Sequence, residues 1–140
     1  NPTSLHLRTL KKFHKYSNNF LIEKPLTSNM REAKILEKFI FKKKIRIFSG
    51  YFLRHYKNIL KLKSIIFKNK KKIKFANFFW HTYMPDWHKG EDFKKSYASN
   101  KLLGGGVIQT CSHEIDLALF FLVQPRKFTL KIFHQIKFLM

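Results

Sequence analysis

The sequence predicts an α/β fold in which short strands alternate with helices. Short apolar runs suit strands, and segments with apolar side chains at helical spacing lie between them. The resulting order, helix–strand–helix–strand at short spacing, is typical of βαβ units and a parallel sheet. With 140 residues, of which 44% are hydrophobic, the chain can bury a core as one ordinary domain, or as the end of one and the start of another.

Two helices and two strands are predicted for the first half of the chain. Ser4 can cap a helix over residues 4–16, and Asn29 with Glu32 forms a capping box that opens the next helix. Residues 20–22 and 45–49 are predicted to be short strands. Each helix has one face that should pack on the sheet, formed by Leu7, Leu10 and His14 in the first helix and by Ala33, Leu36, Glu37 and Ile40 in the second.

The second half is predicted to contain two more helices and two more strands. A helix covers residues 56–67, and a loop-rich stretch covers 84–100. Three glycines then open a helix over 107–122, and residues 127–133 are predicted to be a last strand. Between the helix at 56–67 and the loop at 84–100, the side chains of residues 73–83 alternate in character enough to predict a long strand. One side of this strand would be formed by Phe75, Asn77, Phe79 and His81.

The charge of the chain is strongly positive: 29 Lys and Arg against 8 Asp and Glu, for a formal net charge of +21. Such a charge attracts nucleic acid, anionic lipid or phosphate-rich ligands. The runs Lys42–Lys44 and Lys68–Lys72, interleaved with Phe and Tyr, make a nucleic-acid or anionic-surface binder the alternative function. We favour a compositional explanation, because the lysine excess accompanies excesses of Phe, Ile and Asn that AT-rich codons produce.

Cysteine content and apolar runs limit the class of protein. The single Cys111 excludes an internal disulfide framework and a cysteine zinc site, and it suits a reducing compartment. No apolar run approaches the roughly 18–20 residues of a membrane span. Residues 1–4 have neither an initiator Met nor the features of a signal peptide. We therefore expect a cytoplasmic protein whose sequence begins partway through a chain.

Lys24 stands between Glu23 and Pro25, directly after the first predicted strand. The residue before a proline is kept out of the helical region, so Lys24 should lie in an extended or turn conformation at a strand end. Ligands of open α/β sheets gather beyond the carboxyl ends of strands, where a lysine can bind a hydroxyl or carbonyl oxygen. On these three residues alone, a solvated turn lysine explains Lys24 more simply.

His113 and Asp116 are three residues apart on the helix after the glycines, and Gln109 lies one turn earlier on the same face. Histidine is suited to proton transfer near neutral pH, and a hydroxyl that loses hydride must also lose a proton. A structural His–Asp pair on a half-buried helix explains the spacing equally well. The spacing also suits a metal site, but no third ligand is evident, so we predict no metal.

A polar and aromatic region interrupts the basic chain between positions 86 and 116. Asp86, Glu91, Asp92, Glu114 and Asp116 all lie in this window. The same window contains Trp87, His88 and Tyr97, whose side chains have aromatic rings. Because aromatic faces stack on sugar rings and carboxylates accept hydroxyl protons, we favour a sugar-binding pocket over a surface loop that is merely less basic.

One segment of the chain could contribute to dinucleotide binding, whereas the glycine-rich motif that such binding requires is missing. Segment 2–6 precedes the first helix, where free backbone N–H groups can bind a phosphate or a nicotinamide amide, although an ordinary N-cap accounts for Ser4 equally well. A dinucleotide-binding fold carries G-x-G-x-x-G after its first strand. The first glycine of this chain is Gly50. We therefore expect the pyrophosphate-binding loop to be absent from the sequence.

Four segments, taken in order, resemble motifs of the Gfo/Idh/MocA family of NAD(P)-dependent oxidoreductases, which includes glucose–fructose oxidoreductase and inositol dehydrogenase. Segment 2–6 (PTSLH) resembles the family's T-P-N-x-x-H, and segment 20–26 (FLIEKPL) matches its E-K-P motif. Segment 50–54 (GYFLR) resembles its G-Y-N-x-R stretch, and segment 104–116 matches its G-G-G…H-x-x-D helix. The four segments have the family's order and approximate spacing over nearly the whole chain.

The resemblance implies hydride transfer between NAD or NADP and a CH–OH or carbonyl group of a sugar. Lys24 would bond the reacting hydroxyl, His113 would be the general acid/base, and Asp116 would orient the sugar or the histidine. The other substrate-binding residues would be Trp87, His88, Tyr97 and Arg54. The cofactor-binding residues would be Pro2, Thr3, His6, Glu23 and Lys24.

For the fold, the resemblance implies that residues 1–53 are the trailing part of a Rossmann domain. Residues 54–140 would begin an α+β substrate domain with a mostly antiparallel sheet. Family members are homo-oligomers that act on small carbohydrate substrates. Segment 83–97 is similar to members that act in bacterial surface-carbohydrate pathways.

Several features depart from the family pattern. Phe52 replaces its asparagine, and Thr110 stands near the place of an acid that usually precedes the histidine. The G-x-G-x-x-G segment and most of the long C-terminal sheet are absent. We therefore expect a fragment, truncated at both ends and inactive by itself.

Overall fold

The computed structural model describes residues 1–87 and 89–122, and it confirms the predicted mixed α/β class. The helices and strands are α1 (His6–Phe13), β1 (Asn19–Ile22), α2 (Met30–Lys43), β2 (Arg46–Ser49), α3 (Lys57–Lys68), α4 (Met84–Trp87), α5 (Val107–Thr110) and α6 (Ser112–Leu122). Short 3-10 turns lie at Thr3–Leu5, Phe52–His55, Lys70–Lys72, Phe93–Lys95, Tyr97–Ser99 and Lys101–Leu103.

The first half of the chain forms the predicted βαβ unit. β1 and β2 pair in parallel, with Ile22 opposite Ser49, and α2 is the crossover between them. The N–H of Gly50 donates to the carbonyl of Ile22 at 2.8 Å, which continues the pairing past the last strand residue. The carboxyl ends of the two strands therefore lie side by side, and the residues that follow them share one edge of the sheet.

α2 begins at the predicted cap. The Asn29 side chain accepts the N–H of Glu32 at 2.9 Å. The Glu32 carboxylate accepts from the N–H of Ser28 at 3.1 Å and from its hydroxyl at 2.7 Å, not from the Asn29 N–H that the predicted capping box would use. The cap thus reaches one residue further back and ties down the loop that follows β1.

The core lies between the two long helices of this half and one face of the sheet. Leu10, Leu36 and Ile45 are buried at its centre, and the other face of the sheet leaves Leu21 and Phe48 exposed. Burial of the apolar stripes of α1 and α2 supplies the main driving force for this half. The side chains packed around the centre are Leu7, Phe20, Ile22, Leu26, Phe39, Ile40 and Ile47.

The second half consists of helices and turns. α3 packs against α6, and both contact the turn Phe52–His55. The antiparallel sheet expected after residue 54 is not found in residues 54–87 or 89–122, where the structure assigns no strand. The one sheet of the described residues is the parallel pair β1–β2. A division into Rossmann and substrate domains stays a prediction.

The strand predicted over residues 73–83 is wrong, because this segment has no regular secondary structure. A strand needs a neighbour to bond its backbone, and no described strand pairs with these residues. The aromatic side chains of this segment have different surroundings although they form no sheet. Phe75 and Phe79 are exposed, whereas the Phe78 ring stacks on that of Phe121 at 6.1 Å between centroids. Alternation of side chains alone is therefore a misleading signal here.

The helix predicted over residues 107–122 is two helices, α5 and α6, separated at Cys111. The strand predicted over residues 127–133 lies outside the described residues. Among the helices of the described residues, none has the length and apolar character that crossing a membrane requires.

Candidate functional site

The four segments that resemble family motifs contact one another in the fold. Thr3 lies against Gly104, since a Cβ placed on that glycine would be 2.9 Å from the Thr3 Cβ. Glu23 lies against Gly50 at the ends of the two strands, where a Cβ on Gly50 would be 2.8 Å from a Glu23 carboxylate oxygen. Further contacts join segment 20–26 to α5 and segment 50–54 to α6.

Lys24 reaches from the end of β1 to the break between α5 and α6. Its ammonium donates to the carbonyl oxygen of Thr110 at 3.1 Å, although 86 residues separate the two in sequence. The carbonyls in the last turn of a helix lack an intrahelical donor, so Lys24 supplies one. This contact has a structural value of its own, and it also places a half-buried positive charge close to His113.

His113 lies in the first turn of α6 and is enclosed by aromatic rings. It makes edge contacts with the rings of Phe52 and Tyr51, at 4.8 and 5.8 Å between centroids. Burial and the charge of Lys24 lower the pKa of His113, whereas Glu114, Asp116 and Glu23 act in the opposite direction. The imidazole is therefore the free base at neutral pH. Its Nδ1 is buried and has no hydrogen-bond partner among the described residues.

Arg54 and Asp116 bond to each other. The guanidinium donates to both carboxylate oxygens of Asp116, from Nε at 2.7 Å and from a terminal nitrogen at 2.5 Å. This bond is the main cause of the raised pKa of Arg54. Asp116 is buried and Arg54 is partly exposed. Both were predicted to bind substrate, but in this geometry the pair fixes α6, and His113 with it, against the turn Phe52–His55.

The triple glycine has a packing explanation. Gly104 and Gly106 have positive φ angles of 83° and 126°, which non-glycine residues rarely adopt. Gly105 has no room for a side chain, because a Cβ there would lie 2.1 Å from the carbonyl oxygen of Tyr97. The glycines let the chain turn sharply between the turn Lys101–Leu103 and α5, and so set the position of the α5–α6 break.

The predicted cofactor-binding residues other than Lys24 all have contacts within the chain. His6 is buried, with its ring nitrogens 3.2 Å from the carbonyl oxygens of Pro25 and Asn1. Thr3 is buried against the glycine loop. The Glu23 carboxylate is exposed and accepts the N–H of Lys24 at 3.3 Å. Pro2 is half-buried, and its carbonyl accepts from Leu5 as the first 3-10 turn begins.

These residues do not fit a complete dinucleotide site. Thr3 and His6 already have internal contacts, so they present little surface to a nicotinamide ring. Gly50 is the first glycine of the chain and follows β2, so no glycine-rich turn connects either described strand to the helix after it. The described residues thus lack a pyrophosphate cradle.

The predicted sugar-binding aromatics lie apart from one another. Trp87 ends α4, contacts the Trp80 ring edge-on at 5.7 Å, and lines a cavity of about 10 Å³, which is room for a single water at most. Tyr97 begins a 3-10 turn and is partly exposed. His88 lies outside the described residues. The described residues form no sugar-sized cavity at Trp87, although the side chains of Asp86 and Glu91 are exposed beside it.

Three residues to which the sequence analysis assigned no role take part in the site. Thr110 offers its carbonyl to Lys24, and Tyr51 and Phe52 enclose His113. Burial raises the pKa of Tyr51, and Asp116 adds to the rise, while the Ser112 hydroxyl and Arg54 oppose it. Phe52 occupies the place of the family's asparagine, so the departure noted in the motif puts an apolar ring against the imidazole. The motif included Tyr51 only as part of segment 50–54, and it marked Phe52 only as a departure.

The described residues favour neither a cysteine nucleophile nor a metal ion at this site. Burial and the charge of Glu114 raise the pKa of Cys111, opposed by Lys24, so the thiol stays protonated at neutral pH and is a poor nucleophile. Within residues 1–87 and 89–122, no three His, Cys, Asp or Glu side chains are grouped as a metal site needs.

Comparisons with known proteins return no match: no family model, no curated protein and no solved structure resembles the chain closely enough to be reported. The interpretation of the site therefore depends on its own geometry and on the four sequence motifs.

Proposed function

We propose that the chain carries the substrate side of a Gfo/Idh/MocA-like oxidoreductase site, whose reacting group is a hydroxyl or carbonyl of a sugar. One observation supports this above all others. Lys24 and His113, which the motif resemblance marks as the proton-handling residues, come together at the α5–α6 break although they are distant in sequence. The other two motif segments, 2–6 and 50–54, contact the same region.

The electrostatics of the pair suit proton transfer. His113 has a lowered pKa and is the free base at neutral pH, so it can accept the proton of a substrate hydroxyl as that group becomes a carbonyl. In the reverse direction, the imidazolium returns the proton to the carbonyl oxygen. The Lys24 ammonium has three N–H donors, of which one bonds Thr110, so the others can hold the substrate oxygen.

Arg54, Asp116 and Tyr51 are positioning residues in this proposal. The Arg54–Asp116 pair fixes α6, and the aromatic contacts fix the plane of the His113 ring. No hydrogen bond within the described residues commits the ring to one tautomer, so substrate can determine which nitrogen carries the proton.

The resemblance implies NAD or NADP as the hydride carrier. Because the described residues lack a pyrophosphate cradle, we propose that these 140 residues do not turn over NAD(P) by themselves. Titration with NADH, followed by nicotinamide fluorescence, should show no binding in the micromolar range. Micromolar binding with turnover of any sugar would contradict this part of the proposal.

Sugar binding is tested separately by saturation-transfer NMR with D-glucose, myo-inositol and UDP-N-acetylglucosamine as probes. We expect transfer to the ring protons of at least one probe, and its loss in Lys24→Met and His113→Gln. Lys38→Met and His81→Gln are matched controls, since both side chains are exposed and lie outside the site. No transfer to any probe, or equal signals in site and control variants, would refute the substrate-side proposal.

A further inference from the structure

α3 has a basic stripe on its outer side. Lys57, Lys61 and Lys68 are spaced by four and seven residues, so they share one face of the helix, and all three are exposed. Eleven residues of helix place the first and last about 16 Å apart. The opposite face is the one that packs, where Lys63 places its ammonium 3.5 Å from the centroid of the Phe120 ring in α6. We call these three side chains the α3 basic stripe.

Exposed aromatic rings follow the α3 basic stripe along the chain. After the turn Lys70–Lys72, the irregular segment 73–83 exposes Phe75, Phe79 and Tyr83 to 82, 74 and 69%. The Phe79 ring stacks on that of His81 at 4.3 Å. We call Phe75, Phe79 and Tyr83 the aromatic set. Large rings left this exposed are costly in water, so a partner that stacks on them would gain free energy.

The charges around this surface have one sign. No acidic residue occurs between Glu37 and Asp86 in the sequence. Within the described residues, the ion pairs are Arg54–Asp116 and Lys95–Asp92, so no carboxylate pairs with the α3 basic stripe. A row of unpaired cations, followed along the chain by exposed aromatic rings, supplies the two kinds of contact that proteins use to bind single-stranded nucleic acid.

We propose that the α3 basic stripe and the aromatic set form a binding surface for single-stranded nucleic acid. The lysines contact successive phosphates, and unpaired bases stack on the exposed rings. The α3 basic stripe lies on the side of α3 opposite to α6, and the proposed surface uses neither Lys24 nor His113, so it is independent of the proposed oxidoreductase site.

An anionic membrane is the other polyanionic surface to consider. A helix that lies on a membrane inserts the centre of its apolar face. In α3 that centre, at Ile59 and Ile66, is half-buried and faces the rest of the protein. The exposed apolar side chains of the helix flank this centre: Leu60, Leu62, Ile65 and Phe67. The lysines point away from it. The arrangement therefore favours nucleic acid over lipid.

The test is fluorescence anisotropy of a labelled 20-nucleotide oligo(dT) titrated with the full chain at several salt concentrations. We expect affinity to fall steeply with salt. Lys57→Gln/Lys61→Gln/Lys68→Gln should weaken binding by about 100-fold at 0.1 M salt and flatten the log–log salt slope by about 2. Lys34→Gln/Lys38→Gln/Lys101→Gln removes the same charge from exposed lysines elsewhere and should have a much smaller effect.

A second pair of variants tests stacking apart from charge. Phe75→Ala/Phe79→Ala should weaken binding by about tenfold or more without changing the salt slope, because stacking releases no counterions. Equal losses in the two lysine variants, no effect of the aromatic variant, or equal affinity for duplex of the same length would overturn the proposal. So would binding to phosphatidylserine vesicles without binding to oligo(dT).

Discussion

The ammonium of Lys24 lies 3.1 Å from the carbonyl oxygen of Thr110, and this contact joins the end of β1 to the break between α5 and α6. From this one position, Lys24 has two effects. The lysine supplies a donor to a helix-terminal carbonyl, and its charge adds to the effect of burial in lowering the pKa of His113, three residues further on. Structure and proposed chemistry therefore depend on the same side chain.

Removal of the Lys24 ammonium should destabilise the protein. In Lys24→Met the Thr110 carbonyl loses its charged donor, and we expect the free energy of unfolding to fall by about 1–2 kcal/mol. Urea denaturation followed by circular dichroism measures the change. Lys38→Met, an exposed lysine on α2, should differ from wild type by less than about 0.5 kcal/mol. Equal values for the two variants would show that the Thr110 contact contributes nothing.

The Arg54–Asp116 pair should respond unequally to removal of its two partners. Arg54→Ala leaves a buried carboxylate without its cation, whereas Asp116→Ala leaves an arginine that can turn to solvent. We expect losses of about 2 and about 1 kcal/mol, less than for a fully buried pair because the Arg54 side chain is 41% exposed. Urea denaturation of both variants checks the order. A larger loss for Asp116→Ala would contradict it.

Gly105 and Gly90 allow the cost of steric overlap to be compared with the cost of backbone strain. Gly105→Ala forces a Cβ to 2.1 Å from the carbonyl oxygen of Tyr97, so we expect a loss of about 3 kcal/mol. Gly90 has a φ of 84° but open space around it, so Gly90→Ala should cost only the backbone strain of about 1 kcal/mol. Thermal denaturation ranks the two variants. Similar melting temperatures would mean that the glycine loop is looser than described.

His113 should make stability depend on pH. Its pKa is lower in the folded protein than the ordinary value of 6.5, so the unfolded chain binds the proton more readily. Its contribution to stability is complete above 6.5 and is lost as the pH falls through that value toward the folded pKa. His113→Gln lacks this component. The difference in unfolding free energy between wild type and the variant should therefore shrink on acidification; a constant difference would contradict the lowered pKa.

Local signals in the sequence were enough to predict the βαβ unit. The Asn29 cap, the apolar face with Leu36 and the short apolar strands each depend on neighbouring residues, and the structure retains them. The predicted strand over residues 73–83 failed because alternation says nothing about a pairing partner.

The candidate site was predictable only in part, because long-range contacts shape it. Lys24, which is distant in sequence, bonds the Thr110 carbonyl at the helix break. Helical periodicity over residues 107–122 could not reveal this contact. The resemblance implies separate substrate-binding roles for Arg54 and Asp116. Nothing in their spacing of 62 residues predicts that they bond each other. The motif order selected segments that contact one another in the fold, but it did not predict which residues within them are partners.

The most direct test of the central claim, that Lys24 and His113 form one electrostatic unit, is NMR titration of the His113 ring in wild type and in Lys24→Met. We expect a wild-type pKa below 6.5 and a higher pKa in the variant, because the neighbouring positive charge is gone. Lys38→Met should leave the His113 pKa unchanged. A His113 pKa at or above 6.5 in wild type, or the same pKa in wild type and Lys24→Met, would contradict the account.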